Sequence, residues 1–348
     1  MMYKLRNWID INKLNWKELS KNTRAIHILE LNLDKIDWYC LSGNPEALHI
    51  LEKNLDKIDW SILSGNPGAI HILEKNIDKI DWLILSGNPN AIHILEKNID
   101  KIDWVYLSMN PCAINILEKY PDKVDWSILS ENPHAINLLE KNLDKISWYW
   151  LSVNFQAINL LAFNLDKVDW FLLSSNHNIL SILEKNNYDI DNIDWIELSS
   201  NPFAIDILAL NIDKIDWNIL SMNFNAIHLL EKNFDKINWS YLSMNPNAIN
   251  ILSLNLDKVD WYWLARNPNP NSIYLLEKCN NSIDWNIFSE KEYIFELDYE
   301  FLKVRCNIFK EELIKKALHP LRMVKILKLL SNMEIDIENP DFDLDNFW

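Results

Sequence analysis

Glycine is nearly missing from this chain: four in 348 residues, at Gly43, Gly65, Gly68 and Gly87. That excludes Gly-rich flexible linkers, and no low-complexity stretch takes their place. Cysteine is equally scarce. Cys40, Cys112, Cys279 and Cys306 lie far apart without a C-x-x-C pair, which leaves no disulfide framework and no zinc-knuckle spacing. No run approaches the roughly 18 apolar residues of a membrane span, and Met1–Asp10 lacks the apolar core of a signal peptide. Basic excess is also lacking. The formal net charge is −16, which disfavours nucleic-acid backbones and anionic membrane surfaces alike. A soluble protein of the reducing cytoplasm is the expectation.

What the chain has in abundance is tryptophan, 17 residues, most of them in register. Trp16, Trp38, Trp60, Trp82, Trp104, Trp126, Trp148 and Trp170 recur every 22 residues, and Trp195, Trp217, Trp239, Trp261 and Trp285 carry the series on. A fixed period of this size means one small unit stacked many times, because a single unit cannot bury its own apolar face.

From its tryptophan the unit reads W-x-x-L-S-x-N-P-x-A-I-x-[IL]-L-E-K-N-x-D-K-I-D. The residue before each tryptophan is Asp, Asn or Ser, the set that accepts a backbone N–H at a helix start, so a short first helix begins at each Trp. Its brevity leaves room for 3₁₀ geometry. Asn-Pro, as in Asn66-Pro67, marks a second helix start. In that copy Ala69, Ile70, Ile72 and Leu73 form one apolar side, Glu74 and Lys75 turn outward, Asn76 suits a left-handed helix end, and Ile77 and Ile80 anchor the connection. Two such helices are too short to persist alone in water. With neighbours about 8–10 Å apart, twelve units predict a curved rod on the order of 100 Å long.

The expected fold is thus an all-α solenoid of twelve 22-residue two-helix repeats over 16–284, with an N-terminal cap over 1–15 and a helical C-terminal cap and acidic tail over 285–348. Within that cap Phe309–Leu318 and Leu321–Leu330 read as amphipathic helices. The beat slips twice: extra residues fall in Asn186–Asn192, and a doubled Asn-Pro stands at Asn267–Pro270. Both belong in loops.

The pattern L-S-x-N-P-x-A-I-x-x-L, with the stretch K-E-E-L-I-K-K-A-L-H-P-L-R-M from Lys310 to Met323, resembles a family of helical repeat proteins encoded by giant DNA viruses. The similarity spans nearly the whole chain and implies a viral source, but no activity. A weaker similarity, to the leucine-rich variant repeat, rests on unit length and the A-x-N-P step and implies an α/3₁₀ solenoid. The tryptophan in every unit departs from that pattern.

No motif for catalysis is present: no G-x-x-x-x-G-K-[ST], no G-x-S-x-G, no H-E-x-x-H. Carboxylates recur as caps and surface charges in every unit, whereas a catalytic pair would be unique. His27, His49, His71 and His93 share one repeat position, but ligands must converge within about 2.0–2.3 Å of one metal ion and a ladder does not. The Trp column, three residues before a Leu, has core spacing rather than that of a base-stacking platform. No enzyme, cofactor or metal is expected.

The variable positions carry the functional expectation. Residues one and five after each Trp share a helix face, and there stand Tyr39, Leu83, Val105, Met109, Tyr149, Phe171, Met222, Met244 and Tyr262. Left open by their neighbours, they make an aromatic and Met-rich strip of the kind that binds proteins; buried, they are core. The expected function is a protein-interaction scaffold in the host-cell cytoplasm. The alternative is a rod-like strut in a virion.

Overall fold

The structure, a computed structural model, describes residues 2–186, 190–278, 283–319 and 322. Cys279, the helix expected over 321–330, the acidic tail and part of the insertion within 186–192 lie outside them. The chain divides into a large unit, Arg6–Phe295, and a small one made of Met1–Leu5 with the residues from Glu296.

The large unit is the expected all-α solenoid of helix pairs, and each repeat is built by its own side chains. In every repeat the first helix starts at the tryptophan, as in Trp60–Gly65 and Trp104–Met109, and the preceding Asp, Asn or Ser accepts a backbone N–H two or three residues on. This helix is α throughout. The 3₁₀ turns occur elsewhere, at Pro89–Ala91 and Pro133–Ala135 and in connections such as Ile77–Lys79. The second α-helix begins at the Ile after the Ala, as in Ile70–Lys75, with no side-chain cap. Asn76 closes it at φ −135°, outside the left-handed region, because its Nδ2 donates to Ile72 O at 2.8 Å and satisfies the helix end directly.

Between the two helix layers lies the core. In the copy from Trp60, Leu63, Ala69 and Leu73 are fully buried, and Ile72 and Ile80 nearly so. Each buried Leu or Ile contributes about 1.5–3 kcal/mol relative to exposure. The tryptophans depart from expectation: all thirteen of the column are half-buried. An indole is too large for the narrow layer that Leu and Ala fill, so it sits at the rim. In eight repeats the lysine from the end of the same repeat covers it, as with Lys79 Nζ 4.8 Å from the Trp60 ring centroid.

Two buried polar ladders lock successive repeats. Ser64 Oγ donates to Trp60 O at 2.7 Å and accepts from Asp81 N, the cap of the next repeat, at 3.0 Å. Asn88 Nδ2 donates back to Ser64 O and Asn66 O at 2.9 and 3.3 Å, while its Oδ1 accepts from Asn90 N. Both residues are 0–2% exposed, so every polar atom needs a protein partner, and each has one. Both ladders cross the insertion before Trp195 intact: Asp194 N reaches Ser174 Oγ and Asn201 Nδ2 reaches Ser174 O.

The ladders do not end at the last repeat. Asn15 N donates to Ser289 Oγ at 2.8 Å, and Asn22 Nδ2 donates to Ser289 O and Lys291 O at 3.2 and 3.0 Å. The repeat of Trp16 joins the next by the same bonds: Asp37 N to Ser20 Oγ, and Asn44 Nδ2 to Ser20 O and Asn22 O. The large unit is therefore a closed ring of thirteen repeats, not the open rod expected. Its thirteenth repeat is composite. Trp285–Ile294 supplies the first half, and the segment ending in the 3₁₀ turn Ile11–Lys13 supplies the second. Lys13 Nζ even stands over the Trp285 ring at 5.3 Å, the place each repeat gives to its own lysine. Residues 6–15 thus complete a repeat rather than cap one, and 285–295 belongs to the array rather than to a C-terminal cap.

In the small unit, β1 (Tyr3–Leu5) pairs with β2 (Phe295–Leu297), strands the all-α reading lacked. Asp298 caps a 19-residue helix, Tyr299–Ala317, that starts well before the expected Phe309. Among the described residues no helix is long and apolar enough to cross a membrane.

Candidate binding surface on the inner circumference

First helices of most neighbouring repeats, from Trp16–Lys21 to Trp148–Leu151 and from Trp170–Ser175 to Trp261–Leu264, lie directly against each other. Second helices stand further apart, except Ile158–Ala162 beside Ile179–Lys185. In a closed ring the closer-spaced layer is the inner one, so the first helices line the inside and the second helices the outside. Exposure agrees: Leu210 and Leu254 on second helices are 85% and 84% exposed, while no member of the first-helix strip exceeds the 57% of Tyr39 and Met109. Glycine permits the close approach at three of these joints, after Gly43, Gly65 and Gly87. A Cβ on Gly65 would stand 3.1 Å from Ile84 Cγ2 of the next repeat.

Tyr39, Leu83, Val105, Met109, Tyr149, Phe171, Met222 and Tyr262 are all exposed on this inner face; Met244 is half-buried. Their rings are not equally free. Arg266 stacks over Tyr262 at 3.7 Å and donates to its hydroxyl at 2.6 Å, while Tyr149 is edge-on to Trp150. Ile196, 55% exposed, belongs to the same strip and escaped the sequence reading because the insertion interrupts the column just before it. Polar members of the column are committed to neighbouring caps: Ser61 Oγ to Asp81 Oδ2 at 2.7 Å, Ser240 Oγ to Asp260 Oδ2 at 2.8 Å, and Asn218 Oδ1 to Asn238 Nδ2 at 2.8 Å. The apolar members have no such neighbour-specific polar link to hold them.

Charge is sparse here. At one, two and five residues after the tryptophans, the cations are Lys17, Lys21 and Arg266 and the carboxylates Glu18, Glu131, Glu197 and Glu290. The carboxylates nearest the strip are instead those of the helix-capping aspartates, such as Asp81 and Asp260. Burial, with Asp194 beside it, raises the Glu197 carboxyl above its ordinary value. Burial and a hydrogen bond with Asp37 push the Cys40 thiol up to about 11, so at neutral pH it is protonated and unreactive.

The remaining columns have structural partners. His49, His71 and His93 reach Glu30, Glu52 and Glu74 of the preceding repeat at 2.6, 3.0 and 2.9 Å on the exposed second helices. Such exposed pairs contribute little. His27 is half-buried beside Phe295, and burial lowers its pKa. No group of His, Cys, Asp and Glu among the described residues could hold a metal ion. Lysines stand over nine of the column tryptophans and Tyr120 lies beside Trp104, taking up ring faces that nucleic-acid stacking would need.

No family model matches the chain, and no curated protein or solved structure does either.

Proposed function

We propose that the protein is a non-enzymatic scaffold that holds a protein partner against the inner circumference of its ring. The observation that carries this reading is the strip itself: eight of nine apolar positions are exposed along one face, in a chain of net charge −16. Exposed apolar residues in a continuous row mark interaction surfaces, and the Met residues adapt to irregular partners. Thirteen neighbours at about 8–10 Å form a circle roughly 33–41 Å across at the inner helix axes. Subtracting helices about 10–12 Å thick leaves an opening on the order of 20–30 Å. One or two helices of a partner fit that space.

The ring favours this reading over the rod-like strut, because an array joined end to end has no free length. The resemblance to giant-virus repeat proteins supports a viral source and action in the host-cell cytoplasm. The test is affinity capture from host-cell lysate by wild type and by Tyr149→Glu with Phe171→Glu. Both side chains are about half exposed, so helicity by circular dichroism should be unchanged. Loss of one or a few captured proteins by the double variant is expected; an identical set from both, with folding intact, would sink the proposal.

A further inference from the structure

The composite thirteenth repeat leaves a binding groove at one end of the array, filled in this chain by its own N-terminal arm, Arg6–Asn15. The arm's contacts are specific. Arg6 Nε donates to Tyr293 O at 2.9 Å, and Arg6 N to Ile294 O at 3.1 Å. The Trp8 ring packs 6.0 Å from Phe288 and 6.4 Å from Trp285, and Ile9 and Leu14 are buried. Asn15 N closes the set on Ser289 Oγ.

Every other repeat joins its two halves by continuous chain. Here more than 260 residues separate the halves, so the joint is held by non-covalent contacts alone. It also has a flaw: Trp8 Nε1 is buried without a hydrogen-bond partner among the described residues, which weakens the joint. Nothing in the groove distinguishes its own arm from that of another molecule, since the contacts depend only on arm sequence. The balance between the two is set by the effective concentration of the arm at its own groove.

We propose that the groove over Trp285, Phe288 and Ser289 is a docking site for residues 6–15 of a second copy of this chain, so that rings exchange arms and pair. Exchange of an identical element needs no new interface. At low concentration each ring keeps its own arm. Opening the joint at high concentration traps the exchanged dimer.

The test uses two full-length variants. Trp8→Asp with Ile9→Asp disables the arm and leaves the groove intact; Phe288→Asp disables the groove and leaves the arm intact. Each alone should be monomeric by light scattering. An equimolar mixture at about 100 µM should give a one-to-one heterodimer, because one good arm meets one good groove. A mixture that stays monomeric overturns the proposal. Should Phe288→Asp fail to fold, wild type refolded from guanidinium at rising concentration gives the readout. A dimer fraction that grows with concentration and survives dilution is expected, and monomer throughout overturns it. Neither readout depends on the inner-face partner, so its outcome is independent of the proposed function.

Discussion

The buried asparagine is the residue on which the ring depends most. Its carboxamide serves three backbone groups at once, two carbonyls of the preceding repeat through Nδ2 and one N–H of its own turn through Oδ1. The capping half of this role was legible in the sequence, since Asn before Pro is a start signal. The cross-repeat half was not, because which face of a helix end meets the neighbour is decided by packing and not by local preference. Asn110→Leu removes the donor and strands Ser86 O in a buried site, while Asn88 O keeps its bond from Ala91 N. It should cost about 1–3 kcal/mol or more in denaturant unfolding. Asn90→Ala, at an exposed position of the corresponding turn one repeat earlier, should stay within about 0.5 kcal/mol. The tryptophan teaches the converse: a fixed apolar residue at core spacing was read as core, yet size put it at the rim under a lysine.

At the scale of elements, the two-helix repeat, its period and its start at each Trp were all readable from cap residues and apolar spacing. Where the array stops was not. The tryptophan series reaches Trp285, but the half-repeat after it uses Lys291 where the others use Asn, and its partner half lies at the opposite chain end. Tyr293, in the 3₁₀ turn Glu292–Ile294, takes over for the missing carboxamide: its hydroxyl donates to Asn267 O at 2.8 Å in a buried site. Burial pushes this phenol from 10.0 up to about 12. A group whose pKa is raised by folding stabilises fully below its unfolded value and loses that contribution as pH rises through the folded one. Wild type should therefore lose stability between pH 10 and about 12 relative to Tyr293→Phe, whose deficit at neutral pH should shrink across that window. Thermal melts of the two proteins at matched pH measure the difference.

At the scale of the whole molecule, an open solenoid gains or loses repeats freely, since each touches only its neighbours. A ring cannot. Removing the 22 residues 104–125, one whole repeat, leaves every remaining repeat with intact local sequence. The expected outcome is nonetheless a molecule whose ends no longer meet. Hydrogen exchange should then be faster than in wild type at the Asn15 amide, whose N–H is bonded to Ser289 Oγ across the joint, with the central repeats unchanged; unchanged protection at Asn15 would contradict closure. The step per repeat, about 28° for thirteen equal units around a closed path, is set at nearly every joint by the Ser and Asn bonds, and by Tyr293 where Lys291 replaces the Asn. Local geometry therefore acts as a counter. The gene that encodes this chain is free to vary the strip, the loops and the outer surface, but a duplication or loss of one repeat, the commonest way such arrays change length, is forbidden to it unless the bend at every joint changes as well.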